Sequence, residues 1–245
     1  MPLAEVAQAH NAVTRLEVVD DAALIARIER CFSEVRSVAM ETHDKIGYTN
    51  IFHAAWSDEA NARYAPVLEG ILDRINAREG GRLAVCDVLN AGFVYAAPNN
   101  RRQTFHYDYG NTTDTYFLPL VELSDRNGTE LLHFHDAAHY ATYVPILDAI
   151  NNQYTSADDV RAHLARHGVP SSAYAFVVFS AAAYTLYKLP RFVFHRGKTN
   201  ETGAARVMFQ LATMHDRSYA RHVASAECVL DAELDDARAR AASAP

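Results

Sequence analysis

The chain has 245 residues, 49% of them apolar and 22% charged, and its 23 basic and 30 acidic side chains leave a formal net charge of −7. That composition suits a single globular domain and excludes disorder, collagen and coiled coil as readings of the whole. The acidic balance argues against nucleic acid as a partner, no apolar run approaches the roughly 20 residues of a membrane helix, and no basic-then-apolar start marks a signal peptide.

In chain order, Asp20 and Asp21 can cap a helix whose apolar stripe is Leu24, Ile25, Ile28, Cys31, Phe32, Val35 and Val38. A second helix is predicted over about 58–77, buried through Tyr64, Val67, Leu68, Ile71, Leu72 and Ile75 and stopped by Gly80-Gly81. Residues 1–80 therefore read as helical support. Short segments rich in Val, Phe, Tyr, Leu and Thr follow at 82–88, 92–96, 102–107, 115–123, 130–135, 175–179, 191–195 and 205–213. Ser124-Asp125-Arg126-Asn127-Gly128 reads as a hairpin-type turn, with Asn-Gly supplying positive φ angles. A polar, partly helical stretch at 144–170 interrupts the strands and is expected to lie over one mouth. Residues 217–240 return to helix, and 241–245 form a tail. No repeat or linker divides the chain. The predicted fold class is β-rich α+β: a jelly roll or cupin-like double-stranded β-helix over about 82–213, with supporting helices at both ends. Cys31, Cys86 and Cys228 lie far apart and give no disulfide framework or CxxC knuckle, which suits a reducing cytoplasm.

Twelve histidines and thirty acids predict about 1.5 His-x-Asp/Glu triplets by chance. The single triplet, His106-Tyr107-Asp108, ends a predicted strand, so alternation sends both ligand-type side chains to one face. A distant histidine on another strand would complete a two-His-one-carboxylate facial triad, which holds Fe(II) and leaves open positions for co-substrate and dioxygen. His195 ends a strand and is followed, eleven residues on, by Arg206. Parity puts Arg206 with Met208 and Gln210 on one face, opposite Val207, Phe209 and Leu211. A guanidinium on the inner face of an apolar strand is costly unless it meets an anion, and a carboxylate pairs with it bidentately.

From Phe105 to Thr213 the chain resembles the Fe(II)/2-oxoglutarate-dependent oxygenases, and within them the phytanoyl-CoA dioxygenase-like group. The resemblance is carried by Phe105–Asp108, Phe117–Gly128, Phe194–Asn200 and Arg206–Phe209. It implies that His106, Asp108 and His195 bind iron and do the catalysis. It also implies that Arg206 binds the distal carboxylate of 2-oxoglutarate, and that dioxygen is consumed in hydroxylating a small metabolite, such as an amino acid or natural-product intermediate. Met208 stands where the group often has a hydroxyl residue for the same carboxylate, so Thr115 or Tyr116 is expected to serve instead. Where the group tends to show Pro-Gly-Ser-His, this chain reads Leu131-Leu132-His133-Phe134-His135-Asp136-Ala137-Ala138-His139.

That cluster is the rival reading: His133, His135 and His139, with Glu130 and Asp136 nearby, as the ligands of a zinc-type hydrolase or cupin-like enzyme. The alternative for His133 and His135 is a place in the pocket wall or the hydrogen-bonded core. Arg102, four residues before His106, is either a surface charge or a clamp for a substrate carboxylate; Tyr107 and Tyr109 are core or pocket residues. A non-catalytic binding barrel remains a third class. The sequence is compatible with a homodimer.

Overall fold

Two antiparallel sheets face each other, and helices cover the outside of both. The structure, a computed structural model, describes residues 13–39, 46–108, 112–190 and 193–214. In chain order the strands are β1 (Thr14–Val18), β2 (Ile46–His53), β3 (Val88–Ala96), β4 (Thr112–Pro119), β5 (Thr129–Phe134), β6 (Tyr174–Phe179), β7 (Thr185–Pro190), β8 (His195–Gly197) and β9 (Arg206–Met214). The major sheet has the order β1-β7-β4-β9-β3-β2 and the minor sheet β6-β5-β8. The helices are α1 (Ala22–Ala39), α2 (Asp58–Ala62), α3 (Ala65–Glu79), α4 (Ala137–Asp148) and α5 (Ala157–Arg166).

Each layer follows from side-chain period. Along β9, Val207, Phe209 and Leu211 are buried against the stripes of α1 and α3, which contribute Leu24, Ile28, Leu68, Ile71 and Ile75. The alternate residues, Arg206, Met208 and Gln210, point between the sheets, as their spacing predicts. The minor sheet repeats the arrangement: Leu132, Phe134 and Tyr174 pack against Tyr140, Val144 and Leu147 of α4 and Val160 and Leu164 of α5. A third apolar group, including Phe117, Leu131, Tyr187, Leu189 and Val193, fills the space between the sheets. The chain thus has the β-rich α+β jelly-roll architecture, with helical support from α1 and α3.

Asp21 caps α1, its Oδ1 accepting from the amides of Ala23 and Leu24 at 3.0 Å each. The helix read over 58–77 is two helices, α2 and α3, broken at Arg63-Tyr64 just before Pro66, a residue suited to a first turn. Gly80 closes α3 with a φ of 66°. The wholly helical reading of the first eighty residues is corrected by β1 and β2. Both are short, and they form because β7 and β3 offer edges distant in sequence. β7 was also not foreseen. Segment 82–88 is a loop and a 3₁₀ turn before β3, and 102–107 makes no ladder beyond one bridge. The helix expected at 217–240 lies outside the described residues.

The Asn-Gly turn is not a hairpin. Neither Asn127 nor Gly128 has a positive φ, and the chain here passes from β4 in the major sheet to β5 in the minor one. The Asn127 side chain accepts from the Ser124 amide at 2.7 Å and donates to the Glu122 carbonyl at 3.1 Å. Gly128 is required by crowding: a Cβ there would lie 2.3 Å from the Phe179 carbonyl oxygen and 2.6 Å from that of Ser124. The 144–170 insertion also differs from expectation, because its apolar faces cover the outside of the minor sheet rather than a mouth.

Gly128→Ala is expected to destabilise the protein by about 1–3 kcal/mol through backbone overpacking. That lowers Tm by roughly 2–4 °C per kcal/mol for a chain of this size. Gly203→Ala, where a Cβ meets nothing within 4 Å, is expected to leave Tm unchanged in the same thermal melt.

Candidate metal centre

His106 and His195 meet across an isolated antiparallel bridge. The His106 amide donates to the His195 carbonyl at 2.8 Å, and the His195 amide to that of His106 at 2.9 Å. On the far side of β8, His195 pairs with Leu131, which pairs with Val177 of β6. The two imidazoles therefore share one inward-facing rung, with ring centroids 4.6 Å apart. Each Nδ1 sits beside the carbonyl two residues earlier, Thr104 at 2.8 Å for His106 and Val193 at 2.9 Å for His195. A carbonyl only accepts, so both Nδ1 atoms carry the proton and both Nε2 atoms present lone pairs.

Those Nε2 atoms face Asp108. Its Oδ1 lies 3.7 Å from His106 Nε2 and 3.5 Å from His195 Nε2. Its Oδ2 is 3.5 Å from the amide nitrogen of Gln210 on β9. One ligand atom from each of the three residues falls within 4.8 Å of the others, the only such group of His, Cys, Asp and Glu among the described residues. Burial, helped by the neighbouring His195, holds the His106 imidazole below its ordinary pKa and so neutral at neutral pH. Two imidazole nitrogens and one carboxylate oxygen, with the rings already oriented by backbone carbonyls and the carboxylate beside the Gln210 side chain, are the donor set of a divalent transition-metal site with open positions.

Arg206, on the same face of β9 as the cavity-lining Met208 and Gln210, is fully buried. Its Nη1 donates to the carbonyls of Asn127 and Gly128 at 3.0 and 3.1 Å. Its Nε and Nη2 have no hydrogen-bond partner among the described residues. Desolvation pushes its pKa down to about 10, which still leaves it charged at neutral pH. A Cβ on Gly197 would stand 2.6 Å from Nη2 and 2.5 Å from Gln103 Oε1, so the bare glycine makes room for the guanidinium. A buried cation with two idle donors is the fitting partner for a carboxylate.

The other sequence candidates divide by strand parity. Thr115 lines the cavity beside the metal residues. It pairs with Ala212, six residues along β9 from Arg206, about 20 Å of strand, so it cannot share that anion. Tyr116 points the opposite way and gives its hydroxyl proton to Glu79 at 2.6 Å in the helix-facing layer. Thr129 lines the same cavity and directly follows Gly128, whose carbonyl accepts from Arg206. Its place on β5, two residues before Leu131, was the available signal. Tyr107 is a core residue on the outer face, 5.1 Å from the Phe194 ring. Arg102 is exposed, outside any strand. Tyr109 lies outside the described residues, as does the side chain of His139. The His133 and His135 rings are 5.8 Å apart, and His135 is exposed. Glu130, offered as their co-ligand, is instead ion-paired with Arg196 on the opposite face. The sequence reading also missed Gln210, Gln103 and Asn151 as supports of the site.

No family model matches the chain, and no curated protein matches it in sequence. Solved structures do match in shape. The non-heme alpha ketoglutarate dependent carbocyclase SnoK from nogalamycin biosynthesis has a TM-score of 0.51 at 12% identity, over 87% of this chain and 84% of that one. The non-heme alpha ketoglutarate dependent epimerase SnoN from the same biosynthesis has 0.50 at 13%, over 86% and 82%. An oxidoreductase of the 2OG-Fe(II) oxygenase family from Burkholderia pseudomallei has 0.52 at 13%, over 89% and 92%. At these identities the likeness establishes the fold: this chain has the jelly roll on which those enzymes are built.

Substituting His106, Asp108 or His195 by Ala is expected to weaken Mn(II) binding, measured by titration calorimetry, by more than the roughly 10–100-fold that loss of an outer hydrogen-bond partner costs. His133→Ala and His135→Ala are expected to bind as the unsubstituted protein does.

Proposed function

We propose that the protein is an Fe(II)/2-oxoglutarate-dependent oxygenase that oxidises an unactivated C–H bond of a small metabolite, such as an amino acid or natural-product intermediate. The observation that carries this reading is the buried Arg206. Two of its donors find no partner among the described residues, and it shares the inner face of β9 with Met208 and Gln210, which line one cavity with Asp108 and His195 of the His-Asp-His group. A metal site alone suits many chemistries; a metal site coupled to a buried monovalent-carboxylate receptor suits a chelating dicarboxylate co-substrate.

His106, Asp108 and His195 would hold the iron, and their Nδ1 protons on the Thr104 and Val193 carbonyls keep both rings in the ligating tautomer. Arg206 would take the distal carboxylate of 2-oxoglutarate through Nε and Nη2, with the Thr129 hydroxyl beside it. When bound, iron with 2-oxoglutarate and dioxygen supplies the oxidising power, converting the co-substrate to succinate and carbon dioxide while the C–H bond is oxidised. Phe117, Phe179, Leu131, Leu189 and Met208 form an apolar wall that excludes water from the cavity. The retained Asp108 carboxylate favours hydroxylation as the outcome, since it occupies a ligand position that an exogenous anion would otherwise take.

The direct test incubates the protein anaerobically with Fe(II), 2-oxoglutarate and a metabolite panel, admits labelled dioxygen, and measures succinate and label in the product. Succinate formed only with particular metabolites, and a product carrying label, are the expected results; no succinate under any condition overturns the assignment. Arg206→Ala is expected to weaken apparent 2-oxoglutarate binding by roughly 30- to several-thousand-fold, the equivalent of about 2–5 kcal/mol for a broken buried charge-assisted contact. An unchanged apparent affinity would place the anion site elsewhere.

A further inference from the structure

The segment that carries His106 and Asp108 has no strand ladder of its own, and its two edges are held by different devices. One edge faces β8 through the His106–His195 bridge and a second link, in which the Gln103 amide donates to the Gly197 carbonyl at 3.2 Å and Gln103 Oε1 accepts from the Gly197 amide at 2.8 Å. The other edge faces the connector between α4 and α5. There the Phe105 amide donates to the Tyr154 carbonyl at 2.8 Å and the Asn152 amide to the Phe105 carbonyl at 2.9 Å. Thr104 Oγ1 donates to Asn152 Oδ1 at 3.3 Å. The Tyr107 amide, between the two metal-facing residues, donates to Asn151 Oδ1 at 3.1 Å.

We infer that Asn151 is a positioning residue for the metal centre, and that the α4–α5 insertion serves as its brace. The inference rests on the metal centre proposed above. His106 and Asp108 converge on one point only if the Tyr107 peptide is held in extended form, and a free strand edge leaves that N–H to water. Asn151 substitutes a side-chain carbonyl for the missing neighbouring strand. Asn152 turns the connector into place with a φ of 61°, a left-handed conformation that Asn adopts more readily than most residues. The connector is in turn held by the apolar packing of α4 and α5 on the minor sheet, including Leu147, Ile150, Val160 and Leu164. A rigid core on one side of the sheet thereby fixes a ligand pair on the other.

The test compares Mn(II) affinity and Tm for the full-length protein and three variants. Asn151→Ala is expected to weaken Mn(II) binding about 10-fold or more, the scale of lost outer-shell support. Asn151→Asp, which keeps the acceptor oxygen, is expected to stay within about threefold of the unsubstituted protein. Ile71→Ala leaves a cavity in the α3 core, in a different apolar cluster from the brace, and is expected to lower Tm with Mn(II) affinity unchanged in the folded protein. Normal Mn(II) affinity in Asn151→Ala overturns the inference, as does a loss that Asn151→Asp fails to rescue or that Ile71→Ala reproduces. If the unsubstituted protein binds no Mn(II), the metal centre itself fails and the brace with it.

Discussion

The pair of peptide hydrogen bonds between His106 and His195 is the contact on which the rest of the site depends. It joins two segments far apart in sequence, and its 2.8 and 2.9 Å lengths set the two residues opposite each other in register. A slip of one residue would turn one imidazole to the outer face, among Phe105, Tyr107 and Phe194. In register, both rings point inward, Asp108 falls between their Nε2 atoms, and the neighbouring Tyr107 and Phe194 pack against each other on the outside at a tilt of 56°. Ligand geometry and core packing are thus two faces of the same pairing.

Two buried guanidiniums show how the protein divides structural from receptive charge. Arg196 lies on the outer face of β8, where its Nε and Nη2 both donate to Glu130 Oε2 and its guanidinium carbon sits 4.5 Å from the centre of the Phe105 ring. Its charge is neutralised inside the fold. Among the described residues Arg206, on the inner face of β9, donates to two backbone carbonyls and has no partner for Nε and Nη2. Such burial costs several kcal/mol unless an anion arrives. The surrounding structure accommodates it by omitting a side chain at Gly197. A buried guanidinium with free donors on that face is chemically suited to a carboxylate.

Much of this was legible in the chain. The stripe of α1, its Asp21 cap, the Gly80 stop, the inward parity of Arg206, Met208 and Gln210, and the common face of His106 and Asp108 all follow from local period and local hydrogen bonding. β1, β2 and β7 were not legible, because strands of five to eight residues take their identity from partners distant in sequence. The Asn127-Gly128 turn misled for a related reason. Its composition is that of a hairpin, but the strands on either side belong to different sheets, and the glycine is there for room rather than for a left-handed φ.

By itself the sequence determined which side chains could ligate and which face of its strand each would occupy, since a period of two needs no knowledge of neighbours. Only the tertiary structure decided which faces meet. It brought the Gly128 carbonyl, just before Thr129, onto Arg206 and set Thr115 six residues along β9 from it, with Tyr116 on the opposite face. It gave Glu130 to Arg196 and so withheld it from His133. It also set the α4–α5 insertion behind the minor sheet, where Asn151 reaches the Tyr107 amide. The physical reason is common to all three: a hydrogen bond or ion pair between residues dozens of positions apart forms only when register brings them together, and register is a property of the assembled sheets.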